Sequence, residues 1–584
     1  MDENIKTIPY GISDFSNMRE LNGYYVDNTW GIPLLEQLPY QMFLRPRRFG
    51  KTLLLSILHY YYDINATSRF DELFCNTWIH EHPTPFKGKY LVLHFDFSKV
   101  KGNTLEEFQQ SFESTCKTTL DLFLCAYLSI IPQRIQDEIA KKKTFSEAFD
   151  VLATGLGIAT DKKIYILIDE YDNFTNRLLA QEGEEAYRKL CHGNGFFKSF
   201  FALLKAENKV IQRIFLTGIS PMTLDDVTSG FNIAENISQR SNLATLCGFT
   251  HIDICKILNY YTDMGRFTLD QEQAFQRVTD WYDHYRFSLN NTKQVCNPVM
   301  LMGFLERCMA EEDFPRNMID ENLRTDYHKL QHLVTTNGKL NGKFHALENL
   351  VADGSVATDF VESFQVETLT KPENFISLLY YYGMVTFEKI DFEGVRFKIP
   401  NQLMQQFIAD FLIKGYVNCC KVNPQTTEIA QSLGAMARKG NWRPVIDLAS
   451  QVLKDTLCAR DLMDGEKAVQ AAFASLLSAG SAFFVHTEHS AGFGFADLTL
   501  APRLRDFLDI AYAAIIEVKY IKKTVAVADT AKTMLLSEAK AQLEKYATDH
   551  NLADEWHLKP NGTVTLIRLA VVFHGEELLF AEEI

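Results

Sequence analysis

Eleven cysteines are scattered along 584 residues with no C-x-x-C pair, which excludes a zinc ribbon and argues against a disulfide framework. The adjacent Cys419 and Cys420 have no metal-ligand spacing around them and read as ordinary reduced thiols. Neither "IHEHP" (79–83) nor "HTEHS" (486–490) has the four-residue histidine spacing of a helical zinc site, and no Gly-x-Ser-x-Gly nucleophile turn occurs. No uninterrupted apolar run approaches membrane-spanning length, and the start "MDENIKTIPYG" has neither a basic nor an apolar leader region. A cytoplasmic protein without membrane partners is expected. Internal repeats and low-complexity tracts are also lacking. Positive charge is in deficit: the net charge is −15, so any polyanion site must be a local basic cleft rather than a general coating.

What is present is the composition of a globular protein, 46% hydrophobic and 23% charged, in a chain too long for one core. The first 245 residues alternate short apolar runs with helical stretches, the mark of a parallel sheet covered by helices on both faces. Candidate strands are "YQMFLR" (40–45), "YLVLHFDFS" (90–98), "KIYILIDEY" (163–171) and "QRIFLTGIS" (212–220). Three of the four run almost continuously apolar into polar ends, as strands buried on both faces do, and ligands of such sheets bind at those ends. Residues 246–415 read as a mainly helical lid or linker with a short hairpin in "GMVTFEKIDFEGVRFKIPN". Residues 416–584 read as helices followed by a small α/β domain. The expected division is therefore 1–245, 246–415 and 416–584.

"MFLRPRRFGKTLLLSIL" has the order strand, loop, helix that a phosphate-binding loop requires, because loop N–H groups and a helix N-terminus must converge on the anion. Pro46, Arg47, Arg48, Phe49, Gly50, Lys51, Thr52 and Leu53 form the expected cradle for ATP. Lys51 is placed to reach the β/γ-phosphates and Thr52 to ligate Mg²⁺. Taken alone, Gly-Lys-Thr is a weak signal and reads more readily as a basic turn capping a helix. "IYILIDEYD" alters that balance, since a buried strand ending in Asp169 and Glu170 places two repelling carboxylates where a cation is needed. Asp169 is expected to hold Mg²⁺ and Glu170 to activate water. Thr217, at the end of "RIFLTGIS", is a candidate γ-phosphate sensor or a plain polar strand end. Arg47, Arg48, Arg213 and Arg240 are candidate phosphate contacts or solvated surface residues.

"GFADLTLA" and "AIIEVKY" place Asp497, Glu517 and Lys519 on adjoining strands. Strand alternation points Glu517 and Lys519 the same way, and Asp497 joins them if the strands pair. Two hard oxygen ligands for Mg²⁺ and an ammonium that orients water are the minimum for metal-assisted phosphodiester hydrolysis. The alternative is a solvated strand edge, which the apolar run "AYAAII" before the pair disfavours. Glu466 and Glu488 are nearby acids.

"IPYGISDFSNMRELNGYYVDNTWGIPLLEQ", "FLRPRRFGKTLLLSIL", "YILIDEYDNF" and "IFLTGISPMTLDDVTSGFNIAENIS" resemble bacterial predicted AAA-type ATPases that carry a C-terminal PD-(D/E)XK nuclease-like domain. "WYDHYRF", "CNPVMLMGFL" and "IPNQLMQQF" are similar to the middle region of that family, with His284 where glycine is usual and Asn28 where lysine is usual. The resemblance implies that Arg45, in place of the first loop glycine, is the family pattern. It also implies a nuclease core with Glu466, Glu488, Asp497, Glu517 and Lys519, and a helix carrying Gln542 and Tyr546 in the Gln-x-x-x-Tyr spacing of some such nucleases. The implied function is ATP binding and hydrolysis coupled to Mg²⁺-dependent cleavage of nucleic acid, DNA before RNA, with a homo-oligomer and a role in defence or mobile-element processing by analogy. The alternative is a nucleotide-gated regulator or scaffold whose C-terminal domain binds nucleic acid without cutting.

Overall fold

Four runs of β-branched and aromatic residues form parallel strands β1 (Tyr40–Leu44), β2 (Tyr90–Asp96), β3 (Lys163–Asp169) and β4 (Ile211–Gly218), joined by a two-residue strand β5 (Glu235–Asn236). The computed structural model describes the chain outside residues 1–4, 192–194, 222–232, 320–334, 337–338, 341, 367, 369–370, 421–422, 459–465, 492–493, 526, 528 and 547. The sheet order is β2-β3-β4-β1-β5, so β4 lies between the strand that leads into the basic loop and the strand that ends in acids. Phe43 is opposite Thr217, and Asp96 is opposite Asp169. This register aligns the carboxyl ends of β1, β3 and β4, where an open parallel sheet binds ligands.

Helices cover the sheet because their apolar faces have nowhere else to go. Leu105–Ala126 starts at the Thr104 cap, and Phe145–Ala159 starts at a reciprocal Thr144/Glu147 capping box. Phe95, Phe97, Phe112, Phe174, Phe197 and Phe200 form one buried aromatic core, with Phe174 and Phe197 rings 4.9 Å apart and perpendicular.

The chain forms two compact units, each built from two segments: Met1–Pro315 with Asp359–Lys389, and Arg316–Thr358 with Ile390–Ile584. The middle stretch, predominantly helical with strands Thr386–Asp391 and Gly394–Lys398 neighbouring in a three-stranded sheet, is thus shared between units. In the second unit, strands Phe483–Ala491, Gly494–Pro502, Tyr512–Ile521, Thr565–His574 and Glu577–Glu583 form a mixed sheet in that order. The central pair, 512–521 with 565–574, is parallel and carries helix Asp529–Tyr546 in its crossover. Helix Glu466–Leu477 precedes the sheet. Among the described residues no helix is long and apolar enough to cross a membrane.

Arg45 shows how the first unit builds the basic loop without a glycine at its start. Its N–H continues the β1 ladder to the Gly218 carbonyl at 3.3 Å, one residue beyond the strand's end. The guanidinium is 1% exposed and donates to the carbonyls of Leu44, Ser238 and Leu243 at 2.8, 2.9 and 3.1 Å. It also lies between the Phe43 and Phe287 rings, 4.2 and 4.4 Å from their centroids. Burial lowers its pKa to about 10, so it stays charged at neutral pH. Arg45→Met is expected to lower stability by about 2–4 kcal/mol, because buried carbonyls lose their charged donor. Thermal scans of the chain check this as a fall of several degrees in the first unit's transition.

Candidate active sites

The loop after β1 turns on two left-handed residues, Arg48 (φ +68°) and Gly50 (φ +89°). Gly50 then leads directly into helix Lys51–Tyr62. A Cβ at Gly50 would meet nothing within 4 Å, so backbone conformation and not space selects glycine there. Phe49 is buried edge-on against Tyr285 and Phe287, with ring centroids 5.0 and 5.1 Å away, and Asn297 Nδ2 donates to the Arg47 carbonyl at 3.3 Å. Gly383 closes over Pro46 so tightly that a Cβ there would lie 2.9 Å from the proline ring. Thus the "WYDHYRF" and "CNPVMLMGFL" segments buttress the loop from more than 200 residues away.

Lys51 is 7% exposed, and its ammonium donates to the carbonyls of Arg45 and Pro46, each at 3.0 Å. These satisfy two of its three N–H groups. Burial lowers its pKa, opposed by Glu170, Asp169 and Asp172. Thr52 Oγ1 donates to Asp169 Oδ2 at 2.7 Å, while Thr217 Oγ1 and the Glu170 N–H donate to Asp169 Oδ1 at 2.6 and 3.0 Å. Asp169 therefore joins the ends of β3 and β4 to the N-terminus of helix Lys51–Tyr62. Glu170 has φ +50°, a conformation disfavoured for a side-chain-bearing residue, and accepts from Asn173 Nδ2. Burial raises its pKa, with Lys51 and Arg47 opposing. Leu53 is half-buried on the helix behind.

Two features escaped the sequence reading. Asp172 is 1% exposed and accepts from the N–H groups of Ile219 and Ser220 at 3.1 and 2.9 Å and from Asn176 at 3.0 Å. It ties the turn after Thr217 to the acids after β3. Arg213, read as a phosphate-contact candidate, lies at the opposite end of β4, where it donates to the carbonyls of Leu38 and Glu36 at 3.2 and 2.8 Å. Arg240 pairs with Glu235 at the surface.

In the second unit the antiparallel register sets Leu498 opposite Ile516, which brings Asp497 beside Glu517. Asp497 Oδ2 accepts from the Val518 N–H at 2.8 Å. Glu517 is fully buried; its Oε1 accepts from Lys519 Nζ at 2.8 Å, and its Oε2 has no hydrogen-bond donor among the described residues. Burial and then the Asp497 charge push Glu517 up to about 7, and burial raises Asp497. For Lys519, burial works against the charge, but Glu517, Asp497 and Glu466 outweigh it and raise the pKa. Burial and Asp497 raise Glu466 and Glu488 as well, and Glu488 sits at φ +49° within its strand. Tyr546 is buried, and after burial the charges of Glu517, Asp497 and Glu488 raise its hydroxyl. Gln542, one turn earlier on that helix, is half-buried, and its amide makes no hydrogen bond among the described residues. The structure thus assembles Asp497, Glu517, Lys519, Glu466, Glu488 and Tyr546, with Gln542 at the margin.

A buried carboxylate oxygen without a donor, beside a second carboxyl, suits a hard divalent cation. The pH dependence has a definite sign. Glu517's folded pKa lies above its unfolded value of 4.5, so its stabilising contribution is complete below about pH 4.5 and is lost as pH rises through about 7. The metal-free second unit is expected to lose roughly 1–3 kcal/mol across that window. Thermal scans at stepped pH should show the slope, and Glu517→Gln should flatten it.

Residues 9–228 match the family model described as "Predicted AAA-ATPase", and residues 464–583 match the PD-(D/E)XK nuclease superfamily. A curated relative, "Uncharacterized protein in vnfD 5'region" of Azotobacter chroococcum mcd 1, is 25% identical over 309 residues, 52% of each chain. This chain therefore spans about half the length of that relative. The basic loop and the Asp169 hub fall inside the first matched range and the Asp497–Glu517–Lys519 cluster inside the second: the chain carries an AAA-ATPase-like domain followed by a PD-(D/E)XK nuclease superfamily domain.

Proposed function

We propose that the first unit binds and hydrolyses ATP and that this controls Mg²⁺-dependent cleavage of nucleic acid, DNA in preference to RNA, by the second. The observation that carries this reading is the same arrangement found twice: Asp169 and Glu170 near Lys51, and Asp497 and Glu517 near Lys519, each with one buried and one half-buried carboxyl beside an ammonium. In the first unit, Lys51 leaves its loop carbonyls for the phosphates, Thr52 and Asp169 hold the magnesium ion, Thr217 senses the γ-phosphate, and Glu170 accepts the proton of the attacking water. In the second, Asp497 and Glu517 hold the ion, and Lys519 orients water and neutralises charge growing on the phosphate. Bound magnesium supplies Lewis-acid stabilisation in both places. A second copy of the chain completes the ATP site, and the pair of activities suits defence against foreign nucleic acid or the handling of mobile DNA.

The test is incubation of the full chain with supercoiled plasmid and with single-stranded RNA, with and without Mg²⁺ and ATP, followed by gel separation. Mg²⁺-dependent plasmid nicking is expected, with slower loss of RNA. No cleavage of either polymer under any nucleotide condition would leave a nucleotide-gated binding protein and overturn the nuclease assignment.

A further inference from the structure

His251, Asp283 and His284 gather donor atoms within 4.8 Å of one another, and none of the three belongs to the carboxylate clusters described above. Each is placed by its own local structure. Thr250 and Asp253 form a capping box that makes His251 the first residue of helix His251–Asp263. Asp283 ends helix Gln271–Tyr282 in an extended conformation, fully buried, and meets His251 Nε2. His284 follows at φ +70°, a left-handed conformation that glycine adopts without strain and histidine does not. Its Nδ1 bonds to Gln294 Oε1 at 3.2 Å. An amide oxygen only accepts, so the proton sits on Nδ1 and the Nε2 lone pair remains for a ligand, the orientation typical of metal-binding histidines.

We propose that His251, Asp283 and His284 bind a zinc-like divalent metal that anchors the segment buttressing the phosphate loop. Two imidazoles and one carboxylate suit zinc and its neighbours better than magnesium or calcium, and three protein ligands leave one coordination position open. The next residues explain what the anchor does. Tyr285 and Phe287 pack edge-on against Phe49, and Phe287 carries the Arg45 guanidinium. A metal that fixes 283 and 284 therefore fixes the aromatic wall behind the loop. The inference does not rest on either phosphate chemistry.

The test uses the full chain, stripped with chelator and kept in excess Mg²⁺ to occupy the hard carboxylate sites. Zn²⁺ is titrated calorimetrically, and Co²⁺ is followed by its visible ligand-field bands. One tight equivalent is expected, with a rise of several degrees in the thermal midpoint. His284→Gly keeps a backbone that tolerates φ +70°, so its metal-free midpoint should equal or exceed wild type. It should bind Zn²⁺ at least ~10-fold more weakly and lose the thermal rise. Equal Zn²⁺ stoichiometry, affinity and thermal response in wild type and His284→Gly, or no binding by either, would overturn the proposal and leave a simple histidine–aspartate ion pair.

Discussion

Lys51→Ala is expected to hydrolyse ATP at least ~100-fold more slowly than wild type and to bind it ~10-fold or more weakly, because the residue supplies charge that strengthens at the γ-phosphate in the transition state. Its ammonium donates to the Arg45 and Pro46 carbonyls, each at 3.0 Å. Those contacts hold the loop closed on itself, and burial weakens the charge that makes them. A polyphosphate offers a stronger partner at little reorganisation, since the lysine needs only to swing from carbonyl to phosphate. Truncation removes that partner and also leaves two loop carbonyls without a donor, so part of the effect is structural. Lys51→Met keeps most of the side chain's packing and so removes the cavity from the comparison, although it orphans the same two carbonyls. Both variants should fold with thermal midpoints within a few degrees of wild type, and both should fail in steady-state phosphate release. An ATP affinity unchanged in Lys51→Ala would mean that the loop is a basic turn after all.

Lys519→Ala is expected to reduce plasmid cleavage by at least ~1,000-fold while leaving ATP affinity within about twofold of wild type. Its Nζ lies 2.8 Å from Glu517 Oε1, and the same strand face carries both. With the ammonium gone, Glu517 and Asp497 lose their nearby positive charge and hold a proton more tightly, which competes with metal. Two causes then act together: weaker metal binding and loss of the group that orients water. Raising Mg²⁺ should recover the first and not the second. Lys519→Arg keeps the charge but not the compact ammonium geometry, so it should restore metal affinity with little cleavage. Full activity in Lys519→Ala would place the cutting chemistry elsewhere.

Much of this was legible in the sequence, for identifiable reasons. Strands β1 to β4 announce themselves because strands covered on both faces must be apolar along their length, and their polar ends are the ligand-binding edge. Glu517 and Lys519 could be placed on one face from alternation alone, whereas Asp497 joins them only because the two strands pair. Strand β5 could not be seen, since two residues carry no periodicity, and neither could the acidic edge strand Glu577–Glu583. Arg45 and Arg213 are harder cases. Arg213 reads as a candidate phosphate contact and Arg45 as a replacement for the first loop glycine, yet each is held by backbone carbonyls that only the tertiary fold brings within reach. Asp172 was overlooked because its partners, the Ile219 and Ser220 amides, lie 47 and 48 residues away. Gln542 shares the Tyr546 helix as its spacing demands, but Tyr546 is the side chain that feels the acids.

If ATP turnover in the first unit controls cleavage in the second, the two reactions must be coupled through the chain. The most direct measurement is the rate of plasmid cleavage by wild type and by Glu170→Gln, each with and without saturating ATP in Mg²⁺. Glu170→Gln should bind ATP but hydrolyse it at least ~100-fold more slowly, holding the first unit in its ATP-bound form. Without nucleotide the two proteins should cut at the same rate, and with ATP their rates should separate by roughly tenfold or more. Identical cleavage rates in all four conditions would contradict the account and leave two independent chemistries in one chain.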